Sequence, residues 1–341
     1  MKGGIKLMEI LNIVWFVLIV VLFTGFFILE GFDYGVGMLL IGKNDYERSM
    51  LIRAIGPIWD GNEVWMITAG GAMFAAFPHV YATMFSTFYL ALFLMLLALI
   101  LRGVAFELRT KYPASDWRKT WDYAIIFGSL LPAILWGVAM ANLLQGLPIN
   151  DKMHYLGNFF DLLTPYPIIA GLAFAAVFLY HGAAFLMLKL SDESMLLELK
   201  RKGVQFGIIA LILYIVFFAA TGFSTNVTKS LIWYTPFVIG AICLLISINS
   251  YKLGRQIPAF IFSTLSIVGI TIGMFTGLFP NLMVSNLNQD WSLTIYNAAS
   301  TPHTLAIMTG AALVLVPIVL VYQGWTYKIF KERITPNDLK H

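Results

Sequence analysis

An all-α, multi-pass membrane protein is the fold class this sequence predicts, and three observations predict it. Hydrophobic residues make up 59% of the 341-residue chain and charged residues only 12%, where a soluble domain carries about 25% charge. Mean hydropathy is +0.81. The apolar residues fall into long runs near the roughly 20 residues that take a helix across about 30 Å of hydrocarbon. Those runs lack the period-two alternation of a membrane β-barrel. Such a composition leaves too little polar surface to coat a water-soluble domain. It excludes a soluble enzyme, a nucleic-acid binder and a disordered chain.

Nine spans are expected, at about 10–41, 50–77, 79–106, 121–145, 165–189, 203–224, 231–251, 257–279 and 303–327. The second is the least regular, because Asp60 and Glu63 interrupt it and its charge-free part, Val64 to Phe77, has 14 residues. Lysine and arginine placement supports the count. The loops after spans one, three, five and seven and the C-terminal tail, with Arg53 and Lys189 at the adjoining span ends, hold 17 of the 22 basic residues, and the other loops with the N-terminus hold four. Basic residues mark the cytoplasmic side. The split therefore puts the N-terminus outside and the C-terminus in the cytoplasm, and removing the second span would scramble it. The net charge of +4 suggests no acidic partner, because the basic residues are spent on these loops. Residues 1–341 read as one integral membrane domain embedded in a lipid bilayer, without internal repeat, low-complexity tract or soluble insertion. Met1 to Leu7 precede a second methionine, Met8, and the apolar run from Ile10 carries no cleavage pattern, so no cleaved signal is expected. The single cysteine, Cys243, excludes an internal disulfide and any Cys-based zinc or iron–sulfur site.

Ionisable side chains inside spans cost a few kcal/mol each and are functional candidates by default. Here they cluster. The first span carries Glu30 and Asp33, the second Asp60 and Glu63, and the third Arg102. Each acidic pair is spaced i, i+3 and so shares one helix face. Twenty uncharged residues precede Glu30, which sets it about 30 Å from the outer boundary, near the inner interface. Glu63 lies about 9 Å below that interface, with Asp60 nearer to it, and Arg102 follows 23 uncharged residues of the third span, again near the inner face. The set reads as a graded proton relay opening toward the cytoplasm. Against this stand blander readings. Arg102 with one acid could merely pin helices together, and Glu30 and Asp33 could be merely interfacial. Asp60 and Glu63 are harder to dismiss, since one arginine cannot neutralise four acids. Gly31, Gly35, Gly70 and Gly71 suit close helix packing, Pro57 begins or kinks the second span, and Trp59 is a packing residue or an interfacial anchor. Asp122 is expected to cap the fourth span.

Other signals are weak. His79 and His154 fall in outer loops and His341 is the last residue. His181 or His303 could serve as a haem ligand, but a lone helical histidine is more often a hydrogen-bonded packing residue. No metal site is assigned, and no Walker or dinucleotide fingerprint exists.

The acidic motifs carry a family resemblance. Glu30-Gly31-Phe32-Asp33-Tyr34-Gly35-Val36-Gly37-Met38 and Trp59-Asp60-Gly61-Asn62-Glu63-Val64-Trp65, the latter followed by Ile67-Thr68-Ala69-Gly70-Gly71-Ala72, resemble signatures of subunit II of the cytochrome bd-type quinol oxidases. Further matches are Trp117-Arg118 with Trp121-Asp122, Asn142-Leu143-Leu144-Gln145-Gly146, Gly157-Asn158-Phe159-Phe160, and Trp291-Ser292-Leu293-Thr294 with Asn297-Ala298. The resemblance covers nearly the whole chain. It implies a subunit of an enzyme complex that couples quinol oxidation to reduction of O2 to water in the bacterial cytoplasmic membrane. The implied fold is two four-helix bundles plus one helix. Haem b and haem d are expected on a haem-bearing partner, subunit I. A bound quinone and small single-helix subunits are compatible with the resemblance, and no residue here assigns either. The implied role of this subunit is to stabilise subunit I and to carry protons inward, falling on Asp60 first, with Trp59, Asn62, Glu63, Asp33, Glu30 and Arg102 around it. Glu30 departs from the aspartate of many members, which keeps carboxylate chemistry but changes reach. The competing functions are a proton-coupled secondary transporter and a scaffold subunit whose acids only tie helices.

Overall fold

The computed structural model describes residues 2–225 and 231–339; Met1, His341 and the loop and tail lysines Lys229 and Lys340 lie outside the described residues. Eleven α-helices dominate: α1 (Lys2–Met38), α2 (Asp45–Ile55), α3 (Trp59–Ala76), α4 (Pro78–Thr87), α5 (Tyr89–Leu108), α6 (Ser115–Gln145), α7 (Pro165–Lys189), α8 (Glu193–Ser224), α9 (Leu231–Lys252), α10 (Gln256–Leu278) and α11 (Pro302–Ile329). Among the described residues eight helices are long and apolar enough to cross a membrane, namely α1 and α5 to α11. The chain is a multi-pass membrane protein.

Two expected spans differ in form. The second is broken: α2 ends at Ile55, Gly56-Pro57-Ile58 makes a turn, and α3 begins at Trp59. Pro57 has no N–H to continue the ladder of α2, and Asp60, Asn62 and Glu63 crowd the first turns of α3, which keeps α3 out of the eight apolar helices. The third is divided at Phe88, between α4 and α5. Here Thr87 donates its hydroxyl to the Thr83 carbonyl at 2.7 Å, a back-bond that bends helices. The fourth span starts earlier than expected, at Ser115, and this corrects the reading of Asp122. It is no cap. It sits in the helix interior, 1% exposed, and receives Arg109 at 2.6 Å and Arg48 at 2.9 Å. Arg109 and Arg118 also hold Asp45, each at 2.7 Å, so α2 is strapped across the ends of α5 and α6.

The helices form two groups of four. α7 packs on α8, α8 on α9, α9 on α10, and α10 returns to α7. In the other group α1 packs on α3 and α6, and α5 packs on α6. α6 joins the groups by packing on α7, and α1 by packing on α7 and α10. Every residue from Glu30 to Leu40 is buried, so the last third of α1 lies in the middle of the protein. Small residues make that entry fit. A Cβ on Gly35 would come within 2.8 Å of Gly182 Cα in α7 and overlap the Phe178 carbonyl oxygen. Phe23, Phe26 and Phe27 of α1 interlock with Trp136 of α6 at ring separations of 5.2–5.8 Å. Gly70 and Gly71, by contrast, have no atom within 4 Å of an added Cβ, so the close packing expected there is not made within this chain.

At the end remote from the basic loops, residues 280–302 fold into a short antiparallel pair, β1 (Asn281–Met283) and β2 (Leu293–Thr294). Leu147 bridges to Ser285, and Ser300 N–H donates to the Ala76 carbonyl at 2.8 Å, which closes the last turn of α3. α11 stands at the periphery, with only Leu305 fully buried.

The Gly35–Gly182 approach makes a prediction. Gly35→Leu forces α1 and α7 apart and costs about 1–3 kcal/mol or more, the usual range for overpacking. Gly70→Ala, in open space, leaves the thermal unfolding midpoint of the detergent-solubilised protein nearly unchanged, so the two variants separate in one melting experiment.

Candidate functional site

The i, i+3 spacing on α1 aims Glu30 and Asp33 at the same side, toward α3 and α5. Both are 0% exposed, as is Arg102 of α5. Both acids therefore lie inside the protein rather than on its surface. Arg102 Nη1 donates to Glu30 Oε1, and its guanidinium lies over the Tyr34 ring at 5.0 Å and the Phe106 ring at 5.5 Å. Stacking on two rings is a low-dielectric setting that suits a weakly hydrated guanidinium.

α3 brings the second motif to the same place. Asn62, 0% exposed, donates its amide to Asp33 Oδ2 at 2.7 Å. Glu63, one residue on, is half-buried. Trp59 packs its ring on Phe106 at 5.0 Å and lies against Gly103, so it is a packing residue between α3 and α5. Asp60 is set apart. It is exposed, in the first turn of α3.

Glu30 pairs with the guanidinium and Asp33 with Asn62, both wholly buried, and half-buried Glu63 lies one residue beyond Asn62. Several polar atoms of this cluster are committed to no protein partner among the described residues: Glu30 Oε2, Asp33 Oδ1, Glu63 Oε2, and Arg102 Nε and Nη2. A buried polar atom left unpaired costs about 1–3 kcal/mol. Such atoms are the acceptors and donors that bridging water uses.

Two further residues belong to the cluster and were not in the sequence-derived set. Gln323 and Tyr327 of α11 donate to Asn62 Oδ1 at 3.1 and 2.8 Å. The one signal for them in the sequence is a glutamine inside an otherwise apolar final span.

The histidines bear on haem. His181 is fully buried and engaged at both ring nitrogens, Nδ1 with the Ser263 hydroxyl at 2.7 Å and Nε2 with the Ile28 carbonyl at 3.2 Å. Phe260 stacks on it at 4.9 Å. It fits a packing role and does not fit an axial ligand, which needs a free nitrogen. His79, His154 and His303 are exposed.

Comparison with known proteins agrees with the motifs. The family model described as "Cytochrome bd terminal oxidase subunit II" matches residues 11–330. The chain is 36% identical over 373 aligned positions to the cytochrome bd-I ubiquinol oxidase subunit 2 of Escherichia coli K12, with 97% of each chain covered. It is 38% identical to the cytochrome bd ubiquinol oxidase subunit 2 of Bacillus subtilis, covering 97% of this chain and 99% of that one. A chain in the solved structure of bd oxidase from Geobacillus thermodenitrificans superposes with a TM-score of 0.75 at 14% identity, over 94% of this chain and 98% of the other. That likeness is one of fold.

The buried pair makes a prediction about stability. Arg102→Met alone leaves Glu30 uncompensated and costs about 3–5 kcal/mol. Arg102→Met combined with Glu30→Gln recovers most of the loss. Thermal melts of the two single variants and the double variant, read as a double-mutant cycle, check it.

Proposed function

Because the chain belongs to the cytochrome bd terminal oxidase subunit II family, we propose that it is the second subunit of a quinol oxidase in the bacterial cytoplasmic membrane, and that its buried acidic cluster conducts protons taken from the cytoplasm. The relatives named as ubiquinol oxidase subunit 2 support the first part. A second subunit implies a first, and haem b and haem d belong to that partner in this reading. There they supply electron transfer from quinol and reduction of O2 to water. This chain stabilises the partner and delivers protons to it.

The observation that carries the second part is a gradient of exposure along one set of acids. Asp60 is exposed, Glu63 is half-buried, and Asp33 and Glu30 are wholly buried beside Arg102. A proton entering at Asp60 passes to Glu63, and then through bridging water to the unpaired oxygens of Asp33 and Glu30. Arg102 stabilises the carboxylate left behind at each transfer. Trp59 and Phe106 wall the route with aromatic surface, and Asn62 holds Asp33 in place. Oxygen reduction consumes protons, so uptake from one side separates charge across the membrane without a pump.

In this reading α3 is the ninth span. Its 18 residues cover about 27 Å. The basic end faces the cytoplasm, with the N-terminus outside, and the two groups of four helices plus α11 are two four-helix bundles and one added helix.

A scaffold role is favoured by one observation, that the Arg102–Glu30 and Asn62–Asp33 contacts tie α1 to α5 and α3. The two readings part on a neutral substitution. Asp60→Asn lowers oxidase turnover by at least about tenfold, or about 1.4 kcal/mol of barrier, while haem content of the purified complex stays at the unmodified level. Unaltered turnover means scaffold. A protein that purifies colourless and works without a haem-bearing partner means a proton-coupled transporter.

A further inference from the structure

α11 touches the body of the protein at few points: Leu305, Met308 and Ala312 pack on the core, and the remaining points are polar. At one end Trp15 of α1 donates its indole N–H to the Thr309 hydroxyl at 3.0 Å and the Leu305 carbonyl at 3.3 Å. At the other end Lys189, the last residue of α7, donates to the carbonyls of Phe330, which caps α11, and of Glu332, the latter at 2.8 Å. A cation on the final carbonyls of a helix complements its dipole. The following chain is held too: Ile334 N–H donates to the Lys189 carbonyl at 2.6 Å, and Ser191 N–H donates to the Ile334 carbonyl at 3.1 Å. Rotation and register of α11 are thereby fixed relative to α1 and α7. Between these anchors, Gln323 and Tyr327 face Asn62.

The Asn62 carboxamide has one orientation that satisfies all its neighbours. A carboxylate oxygen only accepts, so the atom 2.7 Å from Asp33 Oδ2 is the amide nitrogen. The carbonyl oxygen then points to α11 and accepts twice, from Tyr327 and from Gln323. Turning the amide over would set its oxygen against the acceptor-only Asp33 carboxylate. The Asp33 carboxylate thus decides which end of Asn62 meets it, and Tyr327 and Gln323 anchor the far end of the same amide from α11.

We propose that Tyr327 and Gln323 are positioning residues: from α11 they fix the Asn62 carboxamide so that its N–H stays on Asp33. The inference rests on the proton-conducting reading for its functional meaning. Its physical content is separate, because it concerns the environment of one carboxyl group. α11 in this view is an orienting helix, clamped at Lys189 and at Trp15 so that two side chains arrive at a buried amide.

The test uses the intact oxidase complex purified with its haem partner. The Asp33 carbonyl stretch is located in infrared spectra of acidified samples as the band that Asp33→Asn removes. In Tyr327→Phe/Gln323→Leu that band moves to higher wavenumber, as it does in Asn62→Leu, and turnover falls several-fold with haem content unchanged. In an Asn62→Leu background the same double change has no further effect, since residues that act through one another are not additive. Tyr327→Phe alone, which keeps the ring, gives a smaller shift and serves if the double variant does not assemble. Thr309→Val loosens only the remote anchor of α11, keeps the Lys189 clamp beside Tyr327, and moves the band less than Tyr327→Phe/Gln323→Leu does. An unmoved band in Tyr327→Phe/Gln323→Leu overturns the proposal, and so does an equal movement in Thr309→Val. If Asp33→Asn leaves turnover intact while the band still moves with Tyr327 and Gln323, the conduction reading falls and the positioning stands.

Discussion

The ion pair between Arg102 and Glu30 is the interaction on which the interior of this protein depends. Both groups have no exposure to solvent, and removing two charges from water costs several kcal/mol per ion. The surroundings offset that cost. Tyr34 and Phe106 offer ring faces to the guanidinium. Gly128 of α6 lets α5 approach: a Cβ there would reach within 2.5 Å of the Arg102 Cβ and 2.6 Å of the Ala98 carbonyl. Gly35 and Gly182 do the same for α1 and α7. The small residues of the first signature are thus the means by which a carboxylate-bearing helix is brought into the centre of the bundle.

From that pair outward the acids are graded by the geometry of three helices that meet near one end. α1 runs eight residues past Glu30 before it ends at Met38, about 12 Å at the helical rise, and the whole of that stretch is buried. α3 enters beside it with its polar first turns facing inward at Asn62 and outward at Asp60. The break at Gly56-Pro57-Ile58 makes this arrangement possible. An unbroken helix from Asp45 would carry Asp60 and Glu63 deeper along a single rod. The break lets α2 lie with the arginines of the loops while α3 starts afresh at the acids.

Much of this was legible in the amino-acid order, and the remainder has physical reasons for being hidden. Spans show themselves through uninterrupted hydrophobicity, so eight of them are recognisable from the sequence alone. The acids and Arg102 stood out because charge in an apolar run is conspicuous. The interior position of Glu30 did not, because depth along a helix axis says nothing about which side of the helix is wrapped by neighbours. Asp122 was misread since its two arginine partners come from other helices. Gln323 and Tyr327 were missed for the same reason: their contacts with Asn62 join residues more than 250 positions apart, and periodicity within α11 carries no trace of them. The sequence admits two roles for Trp59, which only the proximity of Phe106 separates.

The central claim is that buried carboxyls hand protons from the cytoplasmic face to a partner that reduces oxygen. It is tested most directly by following proton uptake during a single turnover of the reconstituted complex, with a pH-sensitive dye confined to the cytoplasmic side. The account predicts that uptake accompanies oxygen reduction in the unmodified complex, and that replacing Glu30, Asp33 and Glu63 together by their amides abolishes the uptake phase while electrons still reach the haems. Uptake of unchanged rate and extent in that triple variant would contradict it.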